Sequence, residues 1–151
     1  SIVMKKFKIV LTAIVMLFTV CAFALEPVTV APAVKAAFEK SFSKAKEVSW
    51  DKAEDFYFAS FRLNNVNVGA AYNEAGELVG TSRKIQTKEL PLSISLAIAE
   101  KYAGYEVDKA ATEITYEGST WYYVSVKGKT QLIKLKASAS GELAVQTKTK
   151  G

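Results

Sequence analysis

The sequence predicts an α+β fold: two tandem units, each a helix followed by a four-stranded antiparallel sheet, with the helices packed on one sheet face. Three observations lead there. Apolar residues recur at helical spacing over residues 32–45 and again over 91–102. After each stretch the apolar period drops from 3.6 to 2, which marks half-buried strands. The whole series of signals then recurs at an offset of about 60–65 residues. The units run over residues 32–86 and 87–148.

In the first helix, Val34, Phe38 and Phe42 fall at i, i+4 and i+8, with Ala37 and Ala45 alongside them. Pro32 suits the first turn, where a missing N–H costs nothing. Lys35, Lys40 and Lys44 take the wet side. Val48 and Trp50 then alternate with Ser49 and Asp51, which places Trp50 on the inner face against Phe38 or Phe42. Asp51 to Asp55 reads as a solvated polar turn rather than a calcium loop. Phe56 to Leu63 is a strand. Asn64-Asn65 is a two-residue hairpin signal, because asparagine tolerates positive φ. Residues 66–72 return with Val66, Val68, Ala70 and Tyr72 on one face, and 78–85 form a fourth strand after the turn Asn73-Glu74-Ala75-Gly76-Glu77.

The second helix carries Ile94, Ala97, Ile98 and Tyr102 on one stripe, and Gly104 fits the left-handed position just past its end. Strands follow at 105–108, with an extension toward Tyr116, and at 121–127, 129–136 and 143–148; Gly118 and Gly128 mark turns. Pro32 matches Pro91, Phe42 matches Tyr102, and Ala75-Gly76-Glu77-Leu78 matches Ser140-Gly141-Glu142-Leu143.

Residues 1–24 have the pattern of a secretory signal peptide. Met4 reads as the natural start, with residues 1–3 upstream of it. Lys5, Lys6 and Lys8 precede an apolar run ending in Ala22-Phe23-Ala24, which supplies the small residues at −3 and −1 that signal peptidase needs. Cleavage after Ala24 leaves Leu25 as the mature N-terminus. A transmembrane anchor needs about 20 apolar residues, and this run is shorter. A lipoprotein would carry its lipid on Cys21, although the small residue normally found before such a cysteine is missing. The expected location is periplasmic or extracellular, with no stable membrane insertion after cleavage.

The full chain has 20 basic and 15 acidic residues; the signal holds three lysines and no acid, so the mature chain carries 17 against 15, a net +2. That is too little for a nucleic-acid footprint, which wants a dense basic stripe. The only cysteine lies in the signal, so the mature domain has no disulfide and depends on its packed core. The sequence contains no histidine. Nucleophilic catalysis usually pairs serine or cysteine with histidine, and zinc and haem sites lean on histidine and cysteine. No catalytic residue, metal ligand or cofactor is therefore assigned. Arg83, Lys84 and Lys88 read as a solvated strand end rather than an anion site.

One feature rises above this background. The alternation that turns Tyr57, Ala59, Phe61 and Leu63 inward turns Phe56 and Phe58 to the other face. The alternation that turns Tyr122, Val124 and Val126 inward does the same for Trp121 and Tyr123. Phe56, Phe58, Trp121 and Tyr123 are thus expected to form an aromatic strip on the helix-free face, available to a partner.

The order of these motifs resembles the PepSY-like domains, also described as β-lactamase-inhibitor-like (BLIP-like) exported proteins. The likeness rests on the helix, the alternating strand with Trp50, the strand Tyr57-Phe58-Ala59-Ser60-Phe61, and Asn73-Glu74-Ala75-Gly76-Glu77. Leu90-Pro91 and Tyr102-Ala103-Gly104-Tyr105 extend it. It spans residues 34–145. The resemblance implies a small exported protein that acts as a binding or inhibitory module, and little more. Together with the absence of a catalytic motif and the low net charge, the expectation is a non-enzymatic module for an unknown protein or peptide partner in the cell envelope, without nucleic acid. The rival reading is a small envelope hydrolase that works without histidine or cysteine.

Overall fold

In the computed structural model, residues 27–151 are described; the expected signal peptide, with Cys21 and the expected cleavage site, lies outside them. Two helices and eight strands follow in the order α1 (Pro32–Ser41), β1 (Lys46–Ala53), β2 (Phe56–Leu63), β3 (Val66–Asn73), β4 (Leu78–Gln86), α2 (Leu92–Lys101), β5 (Glu106–Tyr116), β6 (Ser119–Lys127), β7 (Gln131–Ser138) and β8 (Leu143–Lys150). A short 3-10 turn at Thr87–Glu89 precedes α2. The chain divides into two compact units, one through Ser82 and one from Arg83.

The tandem helix-plus-four-strand arrangement expected from the sequence does not form. The strands join in a single eight-stranded antiparallel sheet, in chain order from β1 to β8. The physical reason lies in the edges. Two four-stranded sheets would leave four rows of unpaired N–H and C=O groups, and one sheet leaves two, on β1 and β8.

In the first unit, α1 starts at Pro32 and ends where Phe42 donates its N–H to the Phe38 carbonyl at 2.8 Å. Its buried residues, Val34 and Phe38, pack on Tyr57, Ala59 and Phe61 of β2 and Ala70 and Tyr72 of β3. Those residues face one another across the ladder, with Tyr57 opposite Tyr72 and Ala59 opposite Ala70. Trp50 meets Phe38 edge-to-face at 5.1 Å between ring centres, the contact expected for it, while remaining half-buried. The β2–β3 hairpin turns on Asn64 and Asn65, both at positive φ (49° and 65°), as a type I′ turn requires.

In the second unit, Ile94 and Ile98 of α2 are buried on Val124 and Val126 of β6 and Ile133, Leu135 and Ala137 of β7. Strand β5 is one element through Tyr116, interrupted by a bulge: Val107 pairs with Val126 and Ala111 with Val124, so four residues of β5 span what two of β6 span. Asp108 accepts the Ala110 N–H at 3.3 Å inside that bulge.

One local device occurs in both units. The turn after β3 closes with the Gly76 N–H on the Asn73 carbonyl (3.1 Å), and the turn after β7 with the Gly141 N–H on the Ser138 carbonyl (3.0 Å). Both glycines have left-handed φ, +83° and +94°, and a Cβ on either would stand 2.6 Å from the Ala33 oxygen or 2.7 Å from the Ser93 oxygen. The first turn of each helix is therefore seated on a bare glycine. That accounts for the glycine of the recurring Gly-Glu-Leu motif.

Candidate functional site

In the second unit, the β6 positions that alternate away from the α2 core are Trp121, Tyr123, Ser125 and Lys127. Register fixes their neighbours on β7: Trp121 lies opposite Ser138, Tyr123 opposite Lys136, Ser125 opposite Lys134 and Lys127 opposite Leu132. Lys136 leans across the strand so that its Nζ stands 4.0 Å from the Trp121 ring centre, an ammonium held over the indole face. Burial pushes the Lys136 ammonium below its ordinary pKa. Trp121 is half-buried, and its indole N–H has no hydrogen-bond partner. Lys134 and Lys127 add positive charge on the same face, and Leu132 is 42% exposed there. The result is a cationic patch built around one aromatic ring.

Tyr123, beside it, is buried at 6% exposure. Loss of water around its phenol pushes the pKa up to about 12 from the ordinary 10.0. The sign follows from linkage. The unfolded phenol releases its proton near pH 10, whereas the folded one holds it to about 12. The stability tied to this proton is therefore complete below pH 10 and is lost as pH rises from 10 toward 12. Tyr72, Tyr116 and Tyr122 are raised by burial as well. Tyr123→Phe should accordingly lose less of its urea midpoint than the parent between about pH 8 and pH 11. Equal losses in the two proteins would contradict this account.

The four residues expected to form an exposed strip are thus divided. Phe58 is 3% exposed and Tyr123 is 6% exposed, so these two are not open surface, and the expectation is corrected for them. Phe56 and Trp121 are half-buried. The reason is that strand alternation assigns a side chain to a face without saying whether that face is covered. Phe58 and Phe56 lie on the first unit, where Phe58 has Asp51 and Ala71 as its cross-strand neighbours. The patch around Trp121 and Lys136 is defined within the second unit alone. Lys136 was missed in the sequence. Its signal was there: pairing the 121–127 and 129–136 strands through the turn at Gly128 brings a lysine onto the same face as Trp121 and Tyr123.

The fold is shared with a BLIP-like protein. That protein, from Bacteroides fragilis, is 21% identical, with a TM-score of 0.63 over 83% of this chain and 87% of its own. A DUF2874 family protein from Bacteroides ovatus matches with a TM-score of 0.67 at 20% identity, over 82% of this chain and 89% of that one. A predicted periplasmic protein from Bacteroides eggerthii matches with a TM-score of 0.69 at 18% identity, over 82% and 90%. No protein-family model matches the chain, and none of the curated proteins does. At these identities the likeness establishes the fold. The BLIP-like half of the resemblance drawn from motif order thus has a structural counterpart.

Among the described residues there is no group of three or more acidic, cysteine or histidine side chains placed to hold a metal ion. The best-formed ionic contact ties strands together: Arg83 Nε donates to Glu113 Oε1 at 2.7 Å and a second guanidinium N–H to Oε2 at 3.4 Å. Arg83 of β4 is thereby held by Glu113 of β5, which lies opposite Tyr122. This is a cross-strand clamp, and it removes Arg83 from the list of cations free to meet a ligand. No helix among the described residues is long and apolar enough to cross a membrane.

Proposed function

We propose that the chain is an exported, non-enzymatic module that binds a protein or peptide partner of the cell envelope through the patch around Trp121. The single observation that carries this reading is the Lys136 ammonium over the half-buried indole, flanked by Lys134 and Lys127. Tryptophan ringed by polar side chains is a common anchor at protein interfaces, and three lysines on one face favour a partner that presents carboxylates. Export is supported by the N-terminal charge and apolar pattern and by the fold shared with a predicted periplasmic protein. The PepSY-like order of motifs and the fold shared with a BLIP-like protein point to binding rather than catalysis.

The test has two readouts. The domain from Leu25 onward is used to capture its partner from an envelope extract, and the captured complex is then measured with Trp121→Ala and Lys136→Glu. Trp121→Ala should cost about 2 kcal/mol or more of binding while the urea midpoint shifts much less. A fall in stability with no selective fall in binding would assign Trp121 to packing and end the proposal.

A further inference from the structure

The second unit holds a separate cleft, away from the sheet face just described, of about 590 Å³. It opens between the 3-10 turn at Thr87–Glu89, the C-terminal half of α2 and the start of β5. Leu90, Ile98 and Ala99 form its apolar floor, and Tyr102 and Tyr105 form a wall. Clefts of about 300–1,000 Å³ with apolar linings and few polar groups are the usual size and chemistry of small-molecule sites.

The wall is fixed before any ligand arrives. The Tyr105 ring lies against Gly128 so closely that a Cβ there would sit 2.7 Å from its edge. Its hydroxyl accepts a hydrogen bond from Gln131 Nε2 at 2.7 Å. Tyr102 meets it edge-on at 5.4 Å between ring centres, and the Tyr105 N–H on the Tyr102 carbonyl (3.0 Å) holds the connecting turn. A rigid aromatic wall spares a ligand the entropy of ordering it.

The charge in the cleft is one-sided. Lys88 is the only charged residue lining it, and no carboxylate does. The neighbouring Glu89 carboxylate is engaged by the Gln86 N–H at 2.7 Å, and Arg83, the nearest cation in the sequence apart from Lys84, is clamped on Glu113. Lys88 itself has no ion-pair partner among the described residues. The first unit offers a contrast within the same chain. Its cleft of about 430 Å³ beside α1 is lined by Phe38, Phe42 and Trp50 but carries both Lys35 and Glu39, so its charges offset.

We infer that the Tyr102–Tyr105 cleft binds a small amphiphilic anion, with the apolar body laid on the tyrosine wall and the anionic group at Lys88. The class is an apolar carboxylate, and the neutral and cationic analogues of the same chain length should be poor ligands. This site is independent of the protein-binding reading and stands or falls without it.

The experiment uses the domain with methyl-labelled alanines, titrated with octanoate, 1-octanol and octylammonium. Ala99 and Ala103 line the cleft, and Ala45 lines the cleft of the first unit and serves as the internal control. Octanoate should shift Ala99 and Ala103 with saturation and leave Ala45 in place. Lys88→Gln, a change in an exposed turn that removes the charge and keeps a polar side chain, should weaken octanoate at least fivefold and leave any octanol response unchanged. The inference is overturned if the three probes bind alike, if Ala45 shifts together with Ala99 and Ala103, or if Lys88→Gln binds octanoate as the parent does.

Discussion

Phe38→Ala should lower the folding stability by about 3–5 kcal/mol, the usual cost of emptying a buried phenylalanine site. Phe38 is 6% exposed and sits where four rings converge. Its ring centre lies 5.5 Å from that of Phe42 and 5.1 Å from those of Trp50 and Phe61, the last two edge-to-face. Edge-on and tilted contacts of this kind add to the area term. The site cannot collapse easily, because Phe61 and Tyr57 are held by ladder pairs on β3. Chemical unfolding of the variant gives the number directly. Leu96→Ala is the matched control: Leu96 is 61% exposed on α2, and its loss should change stability by no more than about 0.5 kcal/mol. A Phe38→Ala midpoint within the range of the control would mean that α1 does not hold the first core together.

Gly76→Ala should be the most damaging of the small substitutions, at roughly 3 kcal/mol or more, where Gly104→Ala costs about 1–2 kcal/mol. The two glycines have nearly the same φ, +83° and +80°, so the left-handed strain on a new Cβ is the same in both. They differ in what that Cβ meets. At Gly104 nothing lies within 4 Å; at Gly76 the Ala33 carbonyl oxygen is 2.6 Å away. A backbone oxygen in the first turn of a helix cannot rotate aside, so the variant has to lift α1 off the turn. The pair of variants separates conformational strain from collision. If both lose the same stability, the seat of α1 on Gly76 contributes nothing.

The local elements were legible because their signals are local. Asn64-Asn65 named its own turn, Gly104 named the end of α2, and the Val34–Phe38 stripe named the buried face of α1. Strand β5 was harder to bound. Its bulge between Val107 and Ala111 breaks the two-residue period, so the segment read as a short strand with an uncertain extension. The number of sheets was beyond this reasoning, because alternation within each strand is the same whether β4 and β5 are edges or neighbours. Only the cost of exposed edges separates the two cases. The candidate site divided in the same way. Parity placed Phe58 and Tyr123 on the correct side of their strands, but their burial depends on what lies over that face, which no spacing encodes. Lys136 lay within reach of the argument. Cross-strand register pairs it with Tyr123, and a long side chain one diagonal step from a tryptophan is well placed to lie over its ring.

The chain-order sheet also bears on how the molecule comes into being. When every strand pairs with the one made just before it, most of the ladder forms between segments joined by tight turns, and only the β4–β5 pairing has to close a longer connection, through α2. Folds of this kind have low contact order for β proteins and assemble quickly. A polypeptide threaded through a narrow opening from its N-terminus can therefore zip up strand by strand as it emerges. At each moment the newest strand is the growing edge of the sheet, and the edge strand β8 carries exposed lysines at 148 and 150 that discourage a further strand from joining.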